Sequence, residues 1–384
     1  MSTADDRATG TFAVVTGGGT AGHVLPALAV ADGLVARGHA PDSIHYIGAE
    51  RGIETQLLPE TPYPYTLFDV VGFQRSLSRR NLGFVPKMWR ARRSAIALLR
   101  SLRPKVVVSV GGYASMPAVF AARKLDIPVV VVSFDLLPGR ASRWSARGAV
   151  ACAVAFPDSP LPGATLTGAP VRRQVLDIDR LRDRLSARQE LGLPEDRFVV
   201  AVMGGSQGSG VLNEAIWQFV ASHRDDSRWA IRHAVGERFV AGAPESADRD
   251  DALFYSPVGY ETNMPAVYAA CDVLVGRGGA STAHEVAATG TPAVLVPWAA
   301  AAEDHQTSNV TWLSDQGAAI HLPEHQIGLL GVVLERLRAD PEQRHALGRA
   351  AYEIGAVHRS GALARLIESV GSGTPRTAGG PPLA

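Results

Sequence analysis

The sequence predicts an α/β chain of two doubly wound parallel-sheet domains, on three observations. Short apolar runs alternate with stretches of helical periodicity along nearly all of its 384 residues. Two of the runs lead directly into glycines and then into a helical segment: TFAVVTGGGTAGH at Thr11 to His23, and RFVVAVMGGSQGSG at Arg197 to Gly210. Prolines and glycines concentrate between the two series, in FPDSPLPGATLTGAPV, where the predicted boundary lies. A strand that enters a glycine turn and then a helix begins a βαβ unit, and repeated βαβ order requires a parallel sheet.

The first series contains FAVV (Phe12 to Val15), SIHYIG (Ser43 to Gly48), VVVSV (Val106 to Val110), VVVVSF (Val129 to Phe134) and AVACAVAF (Ala149 to Phe156). Most are apolar without alternation, as strands covered on both faces must be. The second series contains FVVAVM (Phe198 to Met203), WAIRHAV (Trp229 to Val235), ALFYSPV (Ala252 to Val258), DVLVGRGG (Asp272 to Gly279) and PAVLVP (Pro292 to Pro297). A helix from about Pro341 to Val370 closes the fold. On this reading residues 1–165 form an N-terminal domain and 166–350 a C-terminal one. Residues 351–370 form a helix packing back towards the first domain, and 371–384 (GSGTPRTAGGPPLA) a low-complexity tail expected to be disordered.

At 46% hydrophobic residues the chain carries enough apolar material for two cores. Its two cysteines, Cys152 and Cys271, sit in apolar stretches without metal-ligand spacing and read as buried free thiols of a reducing compartment. The N-terminus MSTADDRATG is acidic and polar, and no apolar run approaches the roughly 18 residues a spanning helix needs, so a cytosolic chain is expected. The net charge of +1 says little about partners; its distribution says more. Between Asp69 and Asp126 no acidic residue occurs, while Arg79, Arg80, Lys87 and a run of further cations do, interleaved with Leu82, Phe84, Val85, Met88 and Trp89. Such a segment suits an anionic membrane surface, at about 1 kcal/mol per cation, and equally a solvated helix face over a buried stripe. No RNA-binding motif accompanies the charge, and no nucleic-acid partner is expected.

Glycines at the end of a strand let backbone approach a ligand, and the amides of the following helix point at an anion. Four double-glycine turns are predicted at the carboxyl ends of strands: Gly17-Gly18, Gly111-Gly112, Gly204-Gly205 and Gly278-Gly279. They suggest a shared phosphate-binding role. GGGTAG also fits G-x-G-x-x-G, with Glu50 as the ribose acid of a dinucleotide enzyme. Against that reading, the motif runs straight into His23, and the second half repeats a phosphate turn that a dehydrogenase would not need.

The segments TGGGTAGHVLPALAVADGL, YIGAERGIETQLLPE, VVVSVGGYASMPAVFAARKLDIPVV, TGAPVRRQVL, MGGSQGSGVLNEA, GRGGASTAHEVAATGTPAVLVPW and EDHQTSN follow the order seen in the MurG family, which the chain resembles from about Phe12 to Asn309. The resemblance implies a GT-B fold of two Rossmann-like doubly wound parallel-sheet domains facing a central cleft, acceptor in the first and sugar nucleotide in the second. It implies inverting transfer of N-acetylglucosamine from UDP-N-acetylglucosamine to the muramyl 4-hydroxyl of undecaprenyl-diphosphate-linked muramyl pentapeptide, in peptidoglycan synthesis. It also implies a peripheral protein on the cytoplasmic face of the plasma membrane, with anionic inner-leaflet lipids as partners and room for other cell-wall synthesis proteins.

Displacing UDP from an anomeric carbon needs a base for the acceptor hydroxyl and an electrostatic sink for the departing diphosphate. His23, in a first helical turn whose dipole keeps its ring neutral, is the candidate base. Ser206, Gln207 and neighbouring amides receive the diphosphate, with Arg172 as a fixed positive charge; no metal or other cofactor is expected. The Asp-x-Asp patterns, Asp177 with Asp179 and Asp248 with Asp250, read as helix starts or loops. By the resemblance Glu285 accepts from both ribose hydroxyls, Ala280, Ser281, Thr282, Ala283 and His284 border the nucleotide, and Gln306 reads the sugar hydroxyls. Thr20, Ala21 and Gly22, counted with the donor's residues, continue into an acceptor side of Gly18, Gly19, Gly111, Gly112 and Tyr113. Trp298 and Trp312 read as packing residues.

One departure stands out. The family carries a His-Glu-Gln-Asn run after the strand that ends here in VVVVSF, whereas this chain has Val132, Ser133, Phe134 and Asp135. Asp135 therefore takes the place of an asparagine beside the bound substrates, and an aspartate near a diphosphate needs Arg140, Arg143 or Arg172 to neutralise it. Two other readings stay open on that account: a related transferase acting on another lipid or a small aglycone, and a sugar-nucleotide binder or epimerase without transfer.

Overall fold

The computed structural model describes residues 10–70, 84–245, 251–299 and 305–373. The chain divides into two compact units, Met1–Arg172 with Ser360–Ala384, and Arg173–Arg359. The first change of unit thus falls at Arg172, later than residue 165.

The first unit contains strands β1 (Ala13–Thr16), β2 (Ile44–Ala49), β3 (Tyr65–Phe68), β4 (Val106–Ser109), β5 (Val129–Ser133), β6 (Ala151–Val154) and β7 (Ala164–Leu166). They pair in parallel, in the order β3-β2-β1-β4-β5-β6-β7. Helices α1 (Ala21–Val35), α2 (Glu54–Leu57), α3 (Phe84–Leu102), α4 (Met116–Lys124) and α5 (Arg140–Ala146) connect them. Val14, Val107 and Val131 of the central strands meet Ala91, Ala95 and Leu99 of α3 in one core. The spacing of those three puts them on one helical face, and Arg90, Arg92, Arg93 and Arg100 on the exposed remainder.

The second unit contains β8 (Phe198–Met203), β9 (Trp229–Ala234), β10 (Phe254–Val258), β11 (Val273–Gly276), β12 (Ala293–Leu295) and β13 (Ile320–His321). Their order, again all parallel, is β10-β9-β8-β11-β12-β13. Helices α6 (Arg173–Leu176), α7 (Arg180–Glu190), α8 (Gly210–Ser222), α9 (Met264–Ala270), α10 (Ala280–Thr289), α11 (His305–Asp315), α12 (Leu330–Ala339), α13 (Pro341–Ile354) and α14 (Ala356–Arg359) surround it. Asp179 caps α7, accepting from the amides of Leu181 and Arg182, so that Asp-x-Asp pattern is a helix start; Asp248 and Asp250 lie outside the described residues. Arg188 is 0% exposed and fully engaged, donating to Asp272 at 2.9 Å and to the carbonyls of Ala270, Glu195 and Arg197. A buried guanidinium with every arm bonded fixes α7 against the sheet.

Two expectations need correction. The long closing helix is three: α13 and α14 are separated at Gly355, and α15 (Ala362–Gly371) follows Gly361, whose φ is +71°. A Cβ at Gly355 would collide with the carbonyl of Ala287, so only glycine permits that approach. Helix α15 belongs to the first unit, where Glu368 pairs with Arg37 at 2.7 Å and Gly371 lies against the Phe12 ring and Val106. The second correction concerns strands: β3, β7 and β13 are absent from the sequence reading, and β7 lies in the Pro/Gly stretch taken as a boundary. All three are sheet edges, short and part-exposed, so none carries a continuous apolar run.

Burial in the second unit has a consequence for acid stability. His233, 0% exposed between Tyr255 and Asn213, is pushed down to about 3 by desolvation, and His358 to about 2 by desolvation reinforced by His284 and Arg359. In the unfolded chain each titrates near 6.5, so as pH falls below that value the unfolded state takes up protons first. Stability is full above 6.5 and is lost progressively down to about 3 for His233, costing about 2 kcal/mol at pH 5 from that residue. Calorimetry is expected to show a melting midpoint several degrees lower at pH 5 than at pH 7.5; equal midpoints would contradict it.

Candidate functional site

In each sheet the strand order reverses once, between β1 and β4 in the first and between β8 and β11 in the second. Ligands of open α/β sheets bind at that switch point, beyond the carboxyl ends of the strands. All four double-glycine turns lie there: Gly17-Gly18 follows β1, Gly111-Gly112 follows β4, Gly204-Gly205 follows β8 and Gly278-Gly279 follows β11.

In the first unit the turn is held from below. The Tyr46 hydroxyl donates to Gly17 O at 2.5 Å, and the Gly19 amide donates to Glu54 Oε1 at 2.8 Å. Gly112, at φ +76°, passes so close to Gly18 that a Cβ would strike its carbonyl; Gly19, at φ +91°, lies against the Tyr113 ring. This brings Gly18, Gly19, Gly111, Gly112 and Tyr113 together. Thr20 Oγ1 stands 3.1 Å from His23 Nδ1, which steers the other ring nitrogen towards Gly111. Gly22 is exposed at the start of α1; the Ala21 side chain lies outside the described residues.

His23 opens into a cavity of about 210 Å³ whose walls include Gly112, Ser133, Asp135, Arg140 and Ser142. Desolvation pushes its imidazole below the ordinary 6.5, opposed by the charges of Asp135 and then Glu54. Burial thus favours the neutral ring that a base requires. Asp135 shares the cavity with Arg140, one of the cations that its charge called for. Arg172 lies at the end of the first unit's leading segment, part-buried.

In the second unit Ser206 and Gln207 are exposed at the tip of the turn. Ser209 caps α8, its Oγ accepting from Leu212 N at 3.3 Å. Arg277, which sequence reasoning passed over, donates to that same Oγ at 2.6 Å and to Glu324 at 2.5 Å, and so ties the turn after β8 to the turn after β11. An arginine between an apolar strand and a double glycine was the available signal. Helix α10 starts at Ala280, leaving the amides of Ala280, Ser281 and Thr282 without helical partners at its N-terminus. Glu285 follows one turn later, its Oε2 accepting from the Tyr268 hydroxyl at 2.8 Å.

Gln306 sits where α11 presses on Gly278, and its Oε1 accepts from Trp298 N at 2.9 Å; that oxygen is engaged, and the NH2 end carries its further hydrogen-bonding capacity. The His284 side chain points into the core, its Nδ1 3.2 Å from His358 Nε2, so only its backbone fits a nucleotide-bordering role. Trp298 is 49% exposed, which corrects its reading as a packing residue.

Of the basic apolar segment, Arg79, Arg80 and Leu82 lie outside the described residues, as do the side chains of Phe84 and Val85. Lys87 pairs with Asp69 at 2.7 Å, Met88 is half-buried, and Trp89 is 56% exposed with the Arg93 guanidinium 4.7 Å from its ring centre. Among the described residues no helix is long and apolar enough to cross a membrane.

Two parallel sheets with paired glycine turns at both switch points define the GT-B class, built from two Rossmann-like units. Residues 13–154 match the glycosyltransferase family 28 N-terminal domain and residues 199–358 the family 28 C-terminal domain. The chain belongs to glycosyltransferase family 28. It is 37% identical over 364 residues to a UDP-N-acetylglucosamine–N-acetylmuramyl-(pentapeptide) pyrophosphoryl-undecaprenol N-acetylglucosamine transferase of Nocardioides sp., covering 94% of this chain and 98% of that one. A protein of the same name from Desulforudis audaxviator is 33% identical over 377 residues, covering 94% and 99%. The crystal structure of Acinetobacter baumannii MurG superposes with a TM-score of 0.68 at 25% identity, covering 93% of this chain and 99% of that one.

Proposed function

We infer that this chain moves N-acetylglucosamine from UDP-N-acetylglucosamine to undecaprenyl-diphosphate-linked muramyl pentapeptide, the step that completes the disaccharide of the lipid-linked peptidoglycan precursor. The observation that carries the reading is near-full-length similarity to relatives that bear this activity in their names, at 33% and 37% identity. In the proposed mechanism neutral His23 takes the proton of the muramyl 4-hydroxyl as its oxygen attacks the anomeric carbon. The bond from that carbon to UDP breaks on the opposite face, UDP leaves with the electron pair, and the configuration inverts. Ser206, Gln207 and the amides at the start of α8 meet the departing diphosphate, while the α10 amides and Glu285 hold the nucleotide. The charge is met by protein groups, and transfer is proposed to need no metal.

The test is direct: purified chain, UDP-N-acetylglucosamine and the lipid-linked muramyl peptide, with EDTA, should yield the disaccharide product. Absence of product would refute the reading. Asp135 favours a second reading of acceptor choice, in which another lipid or aglycone is preferred; offering both acceptors in the same assay decides between them.

The acceptor's lipid anchor requires docking at the cytoplasmic leaflet, and we assign this to the basic apolar segment and α3. Binding to anionic vesicles is expected to weaken with salt and with Arg79, Arg80 and Lys87 changed to Glu. Unchanged vesicle binding would refute that assignment.

A further inference from the structure

The two leading glycine turns differ in what fills them. In the second unit Gly205, Ser206 and Gln207 stand exposed to solvent. In the first, the Glu54 side chain, on a residue 0% exposed, lies directly beneath the turn. Its Oε1 accepts from Gly19 N at 2.8 Å and from Ala49 N at 3.2 Å, and its Oε2 has no partner among the described residues. Glycines on both sides make the room it occupies, for a Cβ at Gly18 would collide with Oε1 and one at Gly52 with Oε2. A turn whose amide already points at a carboxylate of its own chain holds its anion internally.

We propose, on the transferase reading above, that Glu54 is a positioning residue: it fills the hollow of the first glycine turn in place of a phosphate, and fixes the segment that carries Thr20 and His23. The turn is thereby closed to the acceptor's diphosphate, which a carboxylate repels, and open to a neutral hydroxyl. The polar groups placed near His23 are Thr20 on its own turn, Glu54 on α2, Asp135 after β5, and Arg140 and Ser142 on α5. Glu54 and Asp135 both favour the protonated ring.

Two variants separate shape from charge. Glu54→Gln keeps the size and removes the charge: kcat is expected to fall about threefold to tenfold, and the acid limb of kcat/KM to move to lower pH. Glu54→Asp keeps the charge but withdraws it from the Gly19 amide: kcat is expected to fall about tenfold with the acid limb in place. UDP-N-acetylglucosamine affinity, measured by calorimetry, should match the unmodified protein in both and confirms folding. In the unmodified protein the Gly19 amide should exchange slowly with deuterium, at a rate that millimolar inorganic pyrophosphate leaves unchanged. A Gln variant with unaltered kcat and pH limb, or a Gly19 amide that pyrophosphate newly protects, would overturn the proposal. If the unmodified chain makes no product yet Gly19 is protected, the transferase reading fails and the placement of the carboxylate stands.

Discussion

Replacing His23 by alanine should lower kcat by about a hundredfold or more while the KM for UDP-N-acetylglucosamine stays within about twofold. The split follows from where the residue sits. His23 belongs to the first unit, beside Thr20 and the cavity lined by Asp135 and Ser142, whereas the turns assigned to the nucleotide belong to the second. Removing a base costs stabilisation realised only as the acceptor's proton moves, so the loss falls on kcat. The unmodified protein should lose activity as acid protonates the ring, with a limb below the ordinary 6.5 because burial opposes the charge. In the alanine variant that limb should vanish. Steady-state rates between pH 5 and 8 measure both, and a variant that keeps full kcat would remove His23 from the chemistry.

Replacing Glu285 by alanine should act on the other substrate. A carboxylate that accepts from two ribose hydroxyls contributes about 1.5–3 kcal/mol per bond, so donor affinity should weaken by about a hundredfold or more. Tyr268 orients the group through a 2.8 Å bond to Oε2, and its replacement by phenylalanine should cost only a few fold. Titration calorimetry with UDP and with UDP-N-acetylglucosamine reads the effect directly. Equal affinity in the alanine variant would free Glu285 from the ribose role.

How far sequence alone reaches is visible in particular elements. Val106 to Ser109 and Val129 to Ser133 are unmistakable because both faces of each strand are covered, whereas Ala164–Leu166, at a sheet edge, alternates exposed and part-buried residues and hides among prolines. The break of the closing helix at Gly355 depends on a close approach to Ala287, a contact across 68 positions of chain that no local pattern encodes. At the site the glycine turns and His23 were legible because their spacing is local. Glu54 and Arg277 were not, since each acts through a distant turn: Glu54 on Gly19, Arg277 on Ser209. Nor does local spacing reveal how burial favours the neutral imidazole, because burial is a property of the folded surroundings.

Helix α15 gives the first unit an unusual schedule. Ala364, Ile367 and Val370 are buried, and Gly371 closes on Phe12 and Val106, so a piece of the first sheet's covering comes from the far end of the polypeptide. During synthesis that covering emerges only after the whole of the second unit, which is continuous from Arg173 to Arg359. The nascent N-terminal sheet must therefore wait, incompletely sheathed, until α15 has been made, whereas the later-made half has all its parts in hand before then. Loss of everything after Arg359 would strip α15 from the first unit while leaving every residue of the second in place.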